Sequence, residues 1–374
     1  MNSRFIRGIV VVILLLACVW LAKDLTLPVN DSVAYWAAAR LVLNHENPYH
    51  AGSLLAVERQ GGYSRESPLV MWNPPWVLPL LMPLAVFPYA TTQKLWLGLG
   101  CACIALSIFL LWRLYGHNRF PSPLACFLIA IFTPSLVVLA IGQIGPLLVL
   151  GITCFLWFER KQNHLLAGAC LFLLALKPHL AFLFCIALGF CVMRQRQWRL
   201  LAGFFATAIL VLAVTLACAP QVFSQYRTFW SHNPVRWSEF PTLSGILSHI
   251  SGNEIVIPAL LPVLASVWLL QHWMRFRQRW SWQTELPVIL LVSLAASPYA
   301  WFFDGVILLP ALVQSLSSPW KRTCIGPLIG YTATNILCVI LIATGKSLFW
   351  YSWVAPMWLL LYLWQNRPRT IPQS

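Results

Sequence analysis

Apolar residues occur in long runs separated by short polar stretches along the whole chain. About 20 consecutive apolar residues make one helical crossing of a bilayer. On that measure the runs lie at residues 5–23, 69–89, 94–113, 121–141, 143–158, 165–193, 198–219, 255–273, 283–299, 301–316, 323–343 and 347–364. We therefore predict an all-α polytopic membrane protein with about twelve transmembrane helices (roughly 11 to 13), folded as a single integral membrane domain over residues 1–374.

Three of these runs are irregular. Run 165–193 is broken by Lys177 and Pro178, so it predicts either one kinked helix or two short ones. Run 69–89 holds five prolines, so it should bend, and neighbouring groups must satisfy its freed carbonyls. Residues 1–22 have a basic start and an apolar core like a signal peptide, but they lack a small-x-small cleavage site and many spans follow, which favours a retained helix.

Composition supports a membrane protein, with 59% hydrophobic residues, 9% charged residues and a mean hydropathy of +0.73. The net charge of +15 could suggest a nucleic-acid partner. However, the cations lie in short clusters between apolar runs, which is typical of cytoplasmic loops, so we expect no nucleic acid. Nearly all of the 11 cysteines lie inside apolar runs without a CxxC pair, so neither a disulfide framework nor a metal site is predicted.

The positive clusters predict the orientation. If run 165–193 is one crossing, five clusters face the cytoplasm: Arg4 and Arg7; Arg194, Arg196 and Arg199; Arg275, Arg277 and Arg279; Lys321 and Arg322; and Arg367 and Arg369. Both termini are then cytoplasmic in a multi-pass protein of the cell inner membrane. This choice places four other cations on the extracytoplasmic side: Arg113, Arg119, Arg160 and Lys161. It also exposes two longer loops, residues 24–68 and 220–254, on the extracytoplasmic side, where an active site would lie.

The first of these loops contains a polar-headed amphipathic segment. It begins at Asp31 and predicts a short helix to about Leu43, which ends before Asn47-Pro48-Tyr49. Four apolar side chains are spaced to lie on one face against the membrane: Val33, Trp36, Ala37 and Leu41.

Two aspartates are candidates for chemistry. Asp31, at the outer surface, could accept a proton from an attacking hydroxyl, or it could be the N-cap of the following helix. Asp304 lies in the first turn of an apolar run, where it could be functional or could cap a helix and pair with its dipole.

Two further polar residues interrupt apolar runs. Lys177 could bind a lipid phosphate, or it could snorkel or pair with Glu159. Gln143, after Gly142, could line a cavity or cap a helix end. The chain has no P-loop, dinucleotide glycine fingerprint, GxSxG or HExxH motif, which disfavours nucleotide-driven transport and soluble-type hydrolysis.

A series of short motifs in order resembles glycosyltransferase family 87. The motifs are Asp31 with Tyr35, Ala38 and Leu41; Asn47-Pro48-Tyr49; Pro74-Pro75; Gly142-Gln143; Ala167-Gly168 ahead of Lys177-Pro178; and Ser297-Pro298 ahead of Asp304. The resemblance spans residues 1 to about 310. Asn73 stands where the family usually has a tyrosine, and Phe303 and Asp304 stand where some mannosyltransferase members have a histidine.

The resemblance implies a membrane glycosyltransferase of the C-type fold. Such an enzyme moves a hexose, for example mannose, from a polyprenyl-phosphate-sugar donor to a hydroxyl of a lipid or glycan acceptor. The transfer inverts the anomeric centre, occurs on the extracytoplasmic side and uses neither nucleotide, metal nor other cofactor. Asp31 matches the family's catalytic base. We place in the substrate-binding site Tyr35, Arg40, Tyr49, Gln143, Lys177 and Asp304.

Physical reasoning agrees with that role. An inverting transfer needs a base for the acceptor and a cation for the leaving phosphate, but no general acid. Lys177, Arg40 or Arg236 could supply the cation. Two alternatives remain open: a lipid-linked sugar flippase or transporter without transferase activity, and an assembly subunit without activity of its own.

Overall fold

The computed structural model describes residues 27–116, 129, 131–233, 236–317, 325–345 and 348–365. Regular structure in these ranges is entirely helical. The α-helices are α1 (Ser32–Leu43), α2 (Ala51–Gln60), α3 (Leu78–Ala85), α4 (Tyr89–Tyr115), α5 (Thr133–Ala140), α6 (Gly145–Arg160), α7 (His164–Leu171), α8 (Phe182–Gln195), α9 (Trp198–Cys218), α10 (Val222–His232), α11 (Leu243–Ser251), α12 (Val256–Phe276), α13 (Trp282–Ala295), α14 (Leu309–Ser317), α15 (Ile325–Ala343) and α16 (Val354–Gln365). Short 3₁₀ helices join them at Pro75–Val77, Phe172–Leu176, Pro178–Ala181, Trp237–Glu239, Phe302–Leu308 and Leu348–Tyr351.

Four helical segments of the described chain are long and apolar enough to cross a membrane: α4, α9, α12 and residues 178–195. Shorter apolar segments of 10–17 residues accompany them, among them α13 and α16. These apolar helices indicate a membrane protein. The predicted first span, residues 5–23, lies outside the described residues.

The chain forms two compact units. The first comprises residues 1–103, 139–144 and 209–233, and the second comprises residues 104–138, 145–208 and 234–374.

Helix α1 is the central element of the first unit and packs against α2 and α3. Its bounds confirm the helix predicted from the sequence. The predicted contact of one face with the membrane is wrong, because α1 is buried on nearly every side, with Val33 and Ala37 fully inaccessible. Aromatic rings cover it: Tyr35 lies 5.9 Å from Trp96, and Trp36 lies 5.5 Å from Tyr89, measured between ring centroids.

The proline-rich run 69–89 does not form the predicted bent span. Its own helical segment is Pro75–Ala85, and at 1.5 Å per residue this covers about 16 Å of a hydrocarbon core that is about 30 Å thick. The expectation that neighbours satisfy its freed carbonyls is confirmed at Leu84, which loses its helical donor to Pro88 and accepts from the Thr92 hydroxyl at 2.7 Å. Carbonyls at and just after the end of α3 accept from α1: Arg40 Nη1 donates to the Ala85 carbonyl at 2.8 Å, and Trp36 Nε1 donates to the Phe87 carbonyl at 3.0 Å. The segment therefore folds back on α1.

In the second unit, run 165–193 forms two arms and not one crossing. The chain breaks at Lys177, whose φ of −146° and ψ of 72° lie outside the helical region. Gln197, which follows the second arm, donates from Nε2 to Oε1 of Glu159, which precedes the first arm, at 3.3 Å. The chain thus returns to the end of the unit that it left.

This hairpin corrects the predicted separation of the positive clusters. Arg160 donates from Nη1 to the Arg113 carbonyl at 3.2 Å, and Arg194 donates from Nη2 to Oε1 of Gln278 at 3.1 Å. With the contact between Gln197 and Glu159, these cations lie at one end of the second unit. Arg113 and Arg160 therefore do not lie opposite Arg194. Arg4, Arg7, Arg119, Lys321, Arg322, Arg367 and Arg369 lie outside the described residues.

Candidate functional site

Asp31 occupies the N-cap position of α1, but its side chain does not cap the helix. Asn30 takes that role, since its Oδ1 accepts from the Ser32 amide at 3.1 Å and from the Ser32 hydroxyl at 2.6 Å. The capping alternative for Asp31 is therefore not realised. The Asp31 side chain is partly exposed, whereas the eight residues after it are buried.

Gln143 holds the Asp31 carboxylate in place. Gln143 Nε2 donates to Asp31 Oδ2 at 2.7 Å, and the Tyr35 hydroxyl donates to Gln143 Oε1 at 2.9 Å. The backbone amide of Asp31 also donates to the Ile141 carbonyl at 3.0 Å. Because Tyr35 occupies the amide oxygen, the amide nitrogen faces the carboxylate. Three of the predicted site residues, Asp31, Tyr35 and Gln143, thus form one chain of hydrogen bonds.

Gly142 makes this arrangement possible. Its φ of +71° lies in the left-handed region, and a Cβ there would lie 2.8 Å from Asn30 Oδ1 and 2.9 Å from Ser32 Cβ. Its carbonyl accepts from Trp96 Nε1 at 2.8 Å. The residue before Gln143 must therefore be glycine for Gln143 to approach α1 so closely. The sequence showed the Gly-Gln pair but not this reason for it.

Two other predicted binding residues of the first unit have different surroundings. Arg40 lies nine residues along α1 from Asp31, about 13 Å along the helix axis, and Arg40 Nη1 donates to the Ala85 and Val86 carbonyls. Tyr49 packs its ring against those of Tyr226 and Phe229, at 5.3 and 5.7 Å between centroids. Burial raises the pKa of Tyr49, and its hydroxyl has no hydrogen-bond partner in the described part of the chain.

In the second unit, Lys177 and Asp304 form a buried ion pair. Lys177 Nζ lies 2.8 Å from Asp304 Oδ1, and the two side chains are 7% and 0% exposed. Asp304 Oδ2 accepts from the Trp301 amide at 2.9 Å. The Phe303 ring covers the ammonium, with its centroid 5.1 Å from Nζ. The alternative pairing of Lys177 with Glu159 is wrong, because Glu159 instead contacts His164 and Gln197.

His179 lies two residues beyond Lys177, and the prediction of site residues did not include it. Its Nε2 is buried and has no hydrogen-bond partner among the described residues. Its ring lies 4.6 Å from that of Tyr299, which in turn lies 4.4 Å from that of Phe240. The signal available in the sequence was only its position beside an intramembrane lysine. Within the described ranges, three or more His, Cys, Asp or Glu side chains do not gather into a metal site.

Comparison with known proteins defines the class of this protein. The family model described as glycosyltransferase family 87 matches residues 72–298, which is more than half of the chain. The protein is therefore a glycosyltransferase, and more specifically the chain belongs to glycosyltransferase family 87. The matched region includes Gln143 and Lys177, while Asp31 and Asp304 lie outside it. Neither the curated proteins nor the solved structures gave a match.

Proposed function

We propose that this glycosyltransferase moves a hexose from a polyprenyl-phosphate-sugar to a hydroxyl of a lipid or glycan acceptor, with inversion, and that Asp31 is the base. The observation that carries the proposal is the hydrogen bond from Gln143 to a carboxylate that is partly exposed and does not cap its helix. Such a group is held in position and still reaches solvent, as a base for an incoming hydroxyl must.

The proposed step balances without a cofactor. The acceptor hydroxyl attacks C1 of the hexose, and its proton passes to Asp31. The new C1–O bond forms as the bond between C1 and the phosphate oxygen breaks on the opposite face. The electron pair leaves with the phosphate, so the products are the glycosylated acceptor and polyprenyl phosphate. Gln143 stabilises the anionic form of Asp31 before the step through its hydrogen bond.

Asp304 is less suited to the role of base. Its carboxylate is fully buried, with one oxygen bound to Lys177 and the other to the Trp301 amide. A buried pair of this kind is costly to open, because separation leaves two uncompensated charges. We assign to Lys177 and Asp304 the task of fixing the shape of the second unit.

The proposed topology follows from the corrected helix pattern. The cations at one end of the second unit face the cytoplasm by the positive-inside rule. The first predicted span, residues 5–23, leads from a cytoplasmic N-terminus to the segment that holds Asp31, so Asp31 is extracytoplasmic in this proposal. Because run 69–89 is removed and run 165–193 counts twice, we retain about twelve crossings, cytoplasmic termini and the C-type architecture in the inner membrane.

Replacement of Asp31 by Asn in the purified protein tests the proposal. We expect sugar transfer from a polyprenyl-phosphate-sugar to fall at least about 1,000-fold, since the base is lost while the side-chain volume is kept. Glu66→Gln is the matched control, because Glu66 is an exposed acid of the same unit, and it should leave transfer unchanged. Near-normal turnover by Asp31→Asn would show that Asp31 is not the base. If the protein transfers sugar from a nucleotide sugar but not from a polyprenyl-phosphate-sugar, the proposed donor is excluded.

A further inference from the structure

The loop of residues 61–69, between α2 and the proline-rich segment, is held by hydrogen bonds at both ends. At its start, the Gly61 and Tyr63 amides donate to the Glu58 carbonyl at 2.9 and 3.1 Å. At its end, the Leu69 amide donates to both carboxylate oxygens of Glu58 at 3.1 Å. Glu58 itself is fully buried. Glu58 thus holds both ends of the loop, the start through its backbone carbonyl and the end through its side chain.

The start of this loop lies on the N-terminal turn of α1. A Cβ at Gly61 would lie 3.1 Å from Val33 Cγ2 and 3.2 Å from Tyr89 Cδ1. At Gly62, where φ is +88°, a Cβ would lie 3.4 Å from Val29 Cγ2. Val29 and Val33 are the residues two before and two after Asp31. The glycine pair therefore brings the loop into contact with the chain on both sides of Asp31.

The charged groups of the loop act on the same region. Burial raises the pKa of Tyr63, the carboxylates of Glu58 and Asp31 raise it further, and the Arg65 guanidinium opposes them. Arg65 follows Gly62 by three residues, so its Cα lies within about 11 Å of that of Gly62, which contacts the chain beside Asp31. Arg65 is exposed and makes no hydrogen bond or ion pair with the described residues. In contrast, Arg40 is bound to backbone carbonyls.

From this arrangement we propose that Arg65 binds the phosphate of the sugar donor beside Asp31, with the Glu58 side chain holding its loop in place. The proposal rests on the proposed function. The donor is a phosphodiester with one negative charge, and the departing polyprenyl phosphate gains a second. A guanidinium can hold two phosphate oxygens at once, and it offsets the repulsion between that growing charge and the Asp31 carboxylate. Arg65 thus assists departure of the phosphate while Asp31 takes the proton.

Binding of farnesyl phosphate and of farnesol, measured by intrinsic tryptophan fluorescence in detergent, tests the proposal without turnover. The wild-type protein should bind farnesyl phosphate at least about 10-fold more tightly than farnesol. Arg65→Gln should lose most of that difference, and Arg65→Lys should keep part of it as a point charge. Arg59→Gln removes a nearby exposed arginine of α2 and should behave as wild type.

The outcomes separate the two proposals. If the wild type prefers farnesyl phosphate and Arg65→Gln keeps the full preference, Arg65 is not the phosphate ligand and the proposed function is untouched. If the wild type does not distinguish farnesyl phosphate from farnesol, the protein does not recognise the phosphate, and the proposed donor class fails together with this inference. Loss of the preference in Arg65→Gln but not in Arg59→Gln supports both.

Discussion

Gln143 Nε2 lies 2.7 Å from Asp31 Oδ2, although 112 residues separate the two in sequence. The contact joins the start of α1 to the turn between α5 and α6, and the Tyr35 hydroxyl completes it from within α1. A hydrogen bond to a charged group contributes about 1.5–3 kcal/mol, and it favours the ionised form of the carboxylate. A base fixed in this way needs little reorganisation when the acceptor arrives.

Gln143→Leu should therefore change the pH dependence of transfer and not only its rate. Without the amide donor the anionic carboxylate is less stable and less well positioned, so the acidic limb of the kcat profile should move to higher pH, and kcat at neutral pH should fall about 10-fold because the base is no longer held in place. Initial rates over a pH series provide the measurement. Gln93→Leu is the control, because Gln93 is an amide of the same unit that donates to a backbone carbonyl, that of Pro28, and not to a carboxylate. A Gln143→Leu profile that superimposes on the wild type would contradict the positioning role.

Gly142→Ala should destabilise the protein more than an alanine at another left-handed glycine. The new methyl would lie 2.8 Å from Asn30 Oδ1, whereas at Gly252, with a φ of +67°, the position of the added methyl has no atom within 4 Å. We expect about 1 kcal/mol for Gly252→Ala from backbone strain alone, and about 1–3 kcal/mol more for Gly142→Ala from overlap. Thermal unfolding in detergent measures the difference. Equal losses would show that Asn30 and Ser32 shift at little cost.

The sequence was sufficient to predict α1 and to single out Asp31 and Gln143, because Asp31 precedes an apolar helix and Gln143 lies at a polar break between apolar runs. Tyr35 was singled out only through the resemblance to the family's motif. The sequence was not sufficient to predict that the three meet. Their contact depends on a left-handed glycine and on the packing of residues 139–144 against α1, and neither has a periodic signal.

The topology shows a different limit. Run length alone cannot distinguish a crossing from an apolar segment folded on its neighbours, which is why run 69–89 was taken as a span. Carbonyls at the end of its helix accept from Arg40 and Trp36 of α1, so the segment packs against a partner helix and not against lipid. Run length also does not show where an apolar run turns back on itself, which is why 165–193 was wrongly taken as one crossing. The run breaks at Lys177, whose ammonium pairs with a buried carboxylate 127 residues away.

The pair of Lys177 and Asp304 should respond asymmetrically to substitution. Lys177→Met leaves a buried carboxylate without its counter-ion and should cost about 3–5 kcal/mol, whereas the double variant Lys177→Met with Asp304→Leu should recover most of that loss. The exposed pair Arg236 and Glu239, 3.9 Å apart, is the control, and its single variants should change stability by less than about 1 kcal/mol. Thermal unfolding of all variants gives the coupling. Additive losses at Lys177 and Asp304 would argue against an energetically coupled pair.

Glu58 should make the stability of the first unit depend on pH. Burial raises the pKa of Glu58 to about 7, against which the hydrogen bond from the Leu69 amide acts. The folded state therefore binds the proton more tightly than the unfolded chain, whose carboxyl titrates near 4.5. The stabilisation is complete below the unfolded value and is lost as pH rises through about 7, with an upper bound of about 3 kcal/mol.

Glu58→Gln isolates this effect. The amide oxygen can still accept from Leu69, but it carries no charge at any pH, so the variant should be more stable than the wild type at pH 8 and should lose less stability between pH 5 and pH 8. Hydrogen exchange at the Leu69 amide and thermal unfolding at both pH values provide the measurement. Glu66→Gln, at an exposed position of the same loop, should follow the wild type. If Glu58→Gln loses as much stability as the wild type over this range, another group titrates, and the Glu58 carboxyl is ionised throughout without cost to the loop.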